Sequence, residues 1–452
     1  MIKTQDFPKL DLGDKRRNER FIKIINNVSM NPGSSIPKQN ENWYDTKATY
    51  EFFKNEDISV EKLKEAISSY GKSLIEGEGD QILIAHDFCE ISFNGLQAEG
   101  LGYLSNAQGR GIILYNSLAI STTGIPLSLL YQHSFVRPLD ELGKSSSRKK
   151  RPFEQKQSYD WYKGITTVNE LLGSDIRKIH IADREADIYE LFFCQFEANT
   201  ELLIRAVHNR KIEGETYVWD KIKEQQGHGG IELEIPDKSW KKKVKIEVEI
   251  RYCEVEVLRP STSKNEHARI KMSAIELIQV SAKQEWQEEM VHWRLLTTMK
   301  LNTYQDAVEC VKLYCYRWLI ERFHYVLKSG TKVEELQLQQ ATSLQKAIHT
   351  YSLAGMRVMQ LVYQSRQHPD VSCEVALTKE QWAVLYILIN KTAELPTTPP
   401  TLEQAVKWIG RLGGHLGRKS DGPPGLKAVW LGYQRICDAA DLYTLIINQK
   451  FG

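Results

Sequence analysis

Apolar positions fall at helical spacing from residue 1 to about residue 70. LGDKRRNERFIKIINNVSM sets such a stripe behind a basic first turn, and NPGSSIP breaks it. NWYDTKATYEFFKN continues as an aromatic-rich helix, and SVEKLKEAISSYGKSL opens at an N-cap serine, Ser59, with Glu61 close behind. From Gln81 the period changes. QILIAHDFCEISF predicts a strand with Asp87 near its middle, and GRGIILYNSLAIS and IPLSLLYQHSFV predict two more, separated by Thr123 and Gly124. Together they read as a three-stranded antiparallel meander. After the polar loop from Lys144 to Arg151, QKQSYDWYKGITTVNELLG predicts a helix ending at Gly173. KIHIADREADIYELFF predicts a short strand that delivers Asp183 at its C-terminal end, then a helix, and ELLIRAVH predicts another strand.

Strand, strand, strand, helix, strand, helix, strand is the order of a ribonuclease H-like α/β core. Between about residues 210 and 290 the order is interrupted by IELEIP, KVKIEVEIRYCEVEVL and AIELIQVSA, which read as a β-rich insertion. HWRLLTT then predicts the strand on which the chain returns to the core. Beyond His368–Pro369 the pattern is helical, broken by ELPTTPPT and RLGGHLGRKSDGPPG. The expected organisation is therefore a helical domain over 1–70, a catalytic α/β domain over 71–368 and a helical domain over 369–452. The last helix, LKAVWLGYQRICDAADLYTLIIN, carries enough apolar surface either to join subunits or to pack on its own domain.

One helical stretch concentrates polar chemistry. In YCYRWLIERFHYVLK, residues Tyr314, Arg317, Glu321 and Lys328 lie three, seven and fourteen positions along. On a continuous helix those offsets fall within an arc of about 60°. Trp318, Leu319, Ile320, Phe323 and Val326 anchor the other faces. A carboxylate between two cations and a phenol suits a metal-and-phosphate site; the same spacing also suits an ordinary Arg317–Glu321 pair.

Composition narrows the field without deciding it. A chain of 452 residues with 41% hydrophobic and 26% charged residues has the make-up of a soluble protein of two or three domains. No apolar run reaches the ~20 residues of a membrane span, and the N-terminus lacks the apolar centre of a signal peptide, so a cytoplasmic protein with no membrane partner is expected. The 7 cysteines are scattered without a CxxC pair, against a zinc site or a disulfide framework. Net charge is only +2, so nucleic-acid binding has to rest on local clusters. These are Lys15, Arg16, Arg17 and Arg20; Arg148 to Arg151; Arg210 and Lys211; and Lys241, Lys242, Lys243 and Lys245.

Three acids stand out against this background. Asp87 and Asp183 sit in otherwise apolar strand sequence, where a carboxylate is costly unless paired or bound to a cation. Glu321 sits on the helix. Three carboxylates suit Mg²⁺ or Mn²⁺, and a pair of such ions activates a water or 3′-hydroxyl and stabilises the leaving oxygen. There is no HExxH, GxxxxGK[ST] or GxSxG to favour a zinc enzyme, a nucleotide-driven motor or a serine hydrolase.

The spacing of Tyr314, Arg317, Glu321 and Lys328 resembles the signature of the DDE transposases of the insertion-sequence-four family, the group that includes the transposon-five transposase. DREADIY from Asp183 resembles that family's second catalytic block, WRLLT its return strand and HNRK at His208 to Lys211 its following basic segment. LGDKRR and WIGRLGGHLG add to the likeness. The resemblance implies that Asp87, Asp183 and Glu321 coordinate two Mg²⁺ (or Mn²⁺) ions. It implies that Tyr314, Arg317 and Lys328 grip phosphates, that Trp293 stacks a flipped base while a DNA hairpin forms, and that Arg210 contacts the nearby backbone. One departure is that Phe88 and Cys89 follow Asp87 where relatives carry small hydroxyl residues.

The expected function is a cut-and-paste DNA transposase, acting as a homodimer on double-stranded transposon ends and on target DNA, in a bacterial cytoplasm and nucleoid-associated when bound. The N-terminal helices would read the inverted repeat and the C-terminal helices would join subunits. A catalytically silent transposase-derived regulator and a ribonuclease H-like nuclease or resolvase are the alternatives.

Overall fold

The computed structural model describes residues 2–106, 108–144, 151–214, 216–236, 243–283, 289–418 and 421–450. Helix α1 (Lys15–Met30) starts where the Asp14 carboxylate accepts the Arg16 N–H, and it buries Phe21, Ile24, Ile25 and Val28. The short α2 (Ile36–Gln39) follows the NPGSSIP break. Helices α3 (Trp43–Lys54) and α4 (Val60–Ser73) are capped by Asn42 and Ser59. This is the expected N-terminal helical region.

A mixed sheet of 10 strands forms the centre. Strand β1 (Gln81–Ser92) pairs antiparallel with β3 (Arg110–Ile120), which also pairs with the short β2 (Gly102–Tyr103) and with β4 (Pro126–Phe135). The meander expected from the alternation is present. Helix α5 (Tyr159–Leu172) ends at Gly173, whose φ of 73° is the left-handed conformation that glycine supplies. Strand β5 (Arg177–Ala182) then runs parallel to β1, and β6 (Thr200–Arg205) parallel to β5. The helix expected after Asp183 is instead 3₁₀, a single turn at Arg184–Ala186 and a longer run at Tyr189–Phe196. Asp183 itself caps the first turn by accepting from the Glu185 N–H, so the chain tightens before it can settle into α geometry.

The segment between about 210 and 290 contributes α6 (Val218–Lys223), β7 (His228–Pro236), β8 (Lys243–Leu258) and β9 (Arg269–Gln279). These strands extend the same sheet. The return strand β10 (His292–Thr297) lies between β6 and β9, giving the order β2-β3-β1-β5-β6-β10-β9-β8-β7.

The stretch read as one helix from Tyr314 to Lys328 is three pieces. Helix α7 (Tyr304–Cys315) stops, Tyr316 and Arg317 form a turn, and α8 (Trp318–Tyr325) leads into a π turn at Val326–Gly330. Two causes are visible. The Arg317 N–H bonds the Tyr314 carbonyl at 3.0 Å and the Ile320 N–H bonds the Arg317 carbonyl at 3.2 Å, a 3₁₀ pattern that tightens the junction. At the other end, Thr331 N–H reaches back to the Val326 carbonyl at 3.0 Å. There a Cβ on Gly330 would lie 3.1 Å from the Trp430 ring, so the π turn seats against the C-terminal helix.

The long helix α9 (Ala341–Gln367) is buried on most sides and packs against α1, α4 and β4. Helices α10 (Lys379–Asn390), α11 (Leu402–Leu412) and α12 (Leu426–Lys450) complete the C-terminal helical region. At the α11–α12 crossing a Cβ on Gly432 would fall 1.8 Å from the Ile409 carbonyl oxygen, and one on Gly413 equally close to that of Ala428. Only glycine lets the backbones approach this far. One continuous apolar core joins the N-terminal helices, the sheet and the C-terminal helices. All 7 cysteines are free thiols, and among the described residues no helix is long and apolar enough to cross a membrane.

Candidate active site

Strand register brings the first two acids together. His86 on β1 is level with Ala182 on β5, so Asp87 and Asp183 follow on neighbouring parallel strands. Helix α8 crosses β1 and carries Glu321 to the same place. Asp87 is half-buried and more enclosed than Glu321. Burial, with the carboxylates of Asp183 and Glu321 nearby, pushes its pKa up to about 8, and Arg317 only partly offsets this.

Alternation along β1 also accounts for the departure at Phe88. Phe88 packs edge-on against Tyr115 and Trp161, with ring centroids 5.0 and 5.4 Å away, on the face opposite Asp87. Cys89 shares the face of Asp87. It is buried, which raises its thiol pKa to about 12, and Lys328 lies beside it. Lys328 is thus brought to the strand that carries the first acid.

The donor set is the one a hard divalent cation takes, and a half-buried carboxylate flanked by two others favours such a cation. Among the described residues, however, no set of three or more His, Cys, Asp or Glu side chains is already arranged to hold a metal ion. Each acid is turned to a local donor instead. Asp87 Oδ1 accepts from the Phe88 N–H at 2.8 Å, Asp183 Oδ1 from the Glu185 N–H at 2.9 Å, and Glu321 Oε1 from Arg317 Nη2 at 2.6 Å. Residue type and electrostatics fit a metal; the side chains have not closed on a common point.

The surrounding donors are left open. Arg317 is only 6% exposed, yet its Nε is buried without a partner. Burial opposes its charge, but Tyr314, Glu321 and Asp87 outweigh that and raise its pKa. The Tyr314 hydroxyl is likewise buried and unpartnered, and burial pushes its pKa up to about 12. Sequence reading missed Arg205. It ends β6 in reach of Tyr314, Asp183, Arg184 and Arg317, half-buried, with its pKa lowered first by burial. Among the described residues it has no ion-pair partner. An arginine closing an otherwise apolar strand beside the Asp183 strand is the signal that would have found it.

The structure keeps two expected contacts away from an open surface. Trp293 is 5% exposed, edge-on to Tyr314 and Trp318 with ring centroids 5.5 and 6.2 Å away, and Arg205 lies over its ring. It borders the site but is covered. Arg210 is buried and bound to Asp187 through Nε at 3.0 Å and Nη2 at 2.5 Å. Its guanidinium is not free for DNA, because a fully buried carboxylate holds it.

Of the basic clusters, Arg16, Arg17 and Arg20 line a groove on the N-terminal helices with Tyr44, Lys47 and Lys54. Trp43 and Tyr44 stand 77% and 74% exposed there. Arg148, Lys149 and Lys150, and Lys241 and Lys242, lie outside the described residues. Lys245 pairs with Glu232.

Comparison with known families matches two parts of the chain. Residues 3–58 match the transposase DNA-binding family, and residues 353–442 match the transposase Tn5 dimerisation domain. Both matches are to transposase families, and they support the resemblance to the Tn5-like transposases at either end of the chain. The two matched segments flank the stretch that holds Asp87, Asp183 and Glu321, and the basic groove of α1 and α3 lies within the first. Among solved structures the chain is similar to a piggyBac transposase in a synaptic complex with hairpin DNA, at 9% identity over 89% of this chain and 81% of that one, with a TM-score of 0.36.

Proposed function

We propose that this Tn5-like transposase cuts and joins DNA with Asp87, Asp183 and Glu321 as its catalytic acids, on a ribonuclease H-like core. The observation that carries this reading is the strand register that sets Asp87 and Asp183 on the neighbouring parallel strands β1 and β5, with helix α8 crossing β1 to bring Glu321 beside them. A divalent cation held by these three acids would offset the negative charge they bring together. The acids would turn from their local donors to hold Mg²⁺ or Mn²⁺, which supplies activation of the attacking water or 3′-hydroxyl and charge neutralisation at the scissile phosphate.

The chain's own residues do the positioning. When Glu321 turns away, Arg317 regains Nη2 to add to its free Nε, and with the Tyr314 hydroxyl and Arg205 it presents donors to a phosphate. Lys328 adds charge beside Cys89, on the face of β1 that carries Asp87. Trp293 stacks a base only if Tyr314 and Trp318 part from its ring. The helices over 1–70 bind the transposon end and those over 369–452 hold a second subunit, in keeping with the families matched at either end.

The test uses purified full-length protein, Mg²⁺ and linear DNA bearing the element's ends. Asp183→Ala and Glu321→Ala are expected to bind the ends and neither nick nor join them. Cleavage by either variant at the wild-type rate would contradict the assignment.

A further inference from the structure

Behind Asp87 runs a buried chain of polar side chains; with the amides of Asn116 and Gln132 oriented as they stand, its donors and acceptors give one proton arrangement. On β4, Gln132 Nε2 donates to Asn116 Oδ1 at 2.7 Å and to Ser352 Oγ at 3.0 Å. Ser352 spends its own proton on the Ile348 carbonyl at 2.8 Å. Gln132 Oε1 therefore accepts, and the His349 Nδ1–H at 3.2 Å supplies the proton. His349 Nε2 is then the acceptor for the Ser134 hydroxyl at 2.9 Å. With Asn116 Oδ1 already taken, the Asn116 amide donates through Nδ2 to His324 Nε2 at 3.0 Å.

His324 is buried, which keeps its ring neutral, so an accepting Nε2 leaves the proton on Nδ1. Nδ1 faces Asp87 Oδ2 at 4.0 Å, while Asp87 Oδ1 accepts from the Phe88 N–H at 2.8 Å. The distance is longer than a hydrogen bond, so the pull on Oδ2 is electrostatic and acts on Asp87 in its ionised, cation-binding form. The far end of the chain, His349 and Ser352, sits on α9, and Ser352 is one residue before the segment matched to the dimerisation domain begins.

We propose that His324 is a positioning residue for Asp87, its Nδ1–H tautomer imposed by Asn116 and Gln132 and rooted in helix α9. The proposal rests on the reading of Asp87 as a metal ligand. A neutral donor on this side holds the carboxylate in place without supplying a charge that would compete with a cation. Groups that orient a metal ligand in this way typically change metal affinity by ~10–100-fold when removed.

The experiment measures Mn²⁺ affinity of the full-length protein bound to DNA carrying its end, by electron paramagnetic resonance, for wild type, His324→Phe, His324→Asn and Asn116→Leu. His324→Phe and Asn116→Leu are expected to weaken Mn²⁺ by ~10–100-fold. His324→Asn, whose amide nitrogen overlays Nδ1, is expected to recover most of the affinity. The ¹⁵N shifts of the His324 ring are expected to report a protonated Nδ1 and a bare Nε2 in wild type, and a mixture in Asn116→Leu. Wild-type affinity in His324→Phe, or a protonated Nε2 in wild type, would overturn the proposal. Asp183→Ala serves as the control. If it too binds Mn²⁺ like wild type, the metal-site reading itself fails; if it alone loses Mn²⁺, only the role of His324 does.

Discussion

Arg210 and Arg317 are both buried arginines beside an acid, and both read from the sequence as DNA contacts, yet their surroundings differ. Asp187 is fully enclosed, and each of its carboxylate oxygens is used: Oδ1 by Arg210, Oδ2 by the Val207 and His208 N–H groups at 2.8 Å. Arg210 also reaches the Asp187 carbonyl at 2.7 Å. That pair is closed. Arg317 makes one bond to a partly exposed Glu321 and keeps a buried Nε with nothing to bond. Burial costs both arginines solvation, but only the second retains donors for a ligand. A buried charge whose partners are complete holds the fold together. One left incomplete beside other incomplete groups, here Tyr314 and Arg205, keeps donors available for the phosphate proposed above.

The largest expected effect breaks the closed pair. Arg210→Met strands the Asp187 carboxylate, and the unfolding free energy from a denaturant series is expected to fall by about 3–5 kcal/mol. Arg317→Lys is the counterpart. It keeps a cation for Glu321 but loses Nε and the planar fork, so stability is expected to hold while single-turnover cleavage falls by about 10²–10³-fold. If Arg210→Met instead spares stability and costs cleavage, the contrast between the two arginines is lost.

A smaller effect follows from Asp87. Its pKa is about 8 in the folded chain against 3.8 as the ordinary value. The folded state therefore holds a proton that the unfolded state has released, and without divalent ions stability is expected to drop as pH rises from about 4 to about 8. Asp87→Asn removes that slope. The variant is expected to match wild type near pH 4 and to exceed it at pH 8 by on the order of a few kcal/mol. Equal pH dependence in thermal unfolding of the two proteins would show that Asp87 is not held protonated.

Much of the frame was legible because its signals are local. The strands at QILIAHDFCEIS and GRGIILYNSLAI, the cap at Ser59 and the helix-ending Gly173 after VNELL all appear where expected. The acids at positions 87 and 183 stood out because carboxylates interrupt apolar strands. What could not be read depends on partners distant in sequence. The stripe on YCYRWLIERFHYVLK assumed an unbroken helix, and the break at Tyr316–Arg317 and the π turn answer to packing against β1 and Trp430. Nothing in HNRK announces that Asp187 will enclose Arg210. Nothing in ELLIR marks Arg205 as a neighbour of Tyr314, since that contact forms across the sheet. The chain from His324 to Ser134 joins residues on four separate elements and has no motif at all.

The central claim, that the three acids are direct ligands of catalytic cations, is tested most directly by changing the ligand atom. Asp183→Cys replaces hard oxygen by soft sulfur, so cleavage of end-bearing DNA is expected to vanish in Mg²⁺ and to return in Mn²⁺ or Cd²⁺. Equal activity of Asp183→Cys and wild type in Mg²⁺, or equal inactivity of the variant in all three ions alongside intact DNA binding, would contradict it.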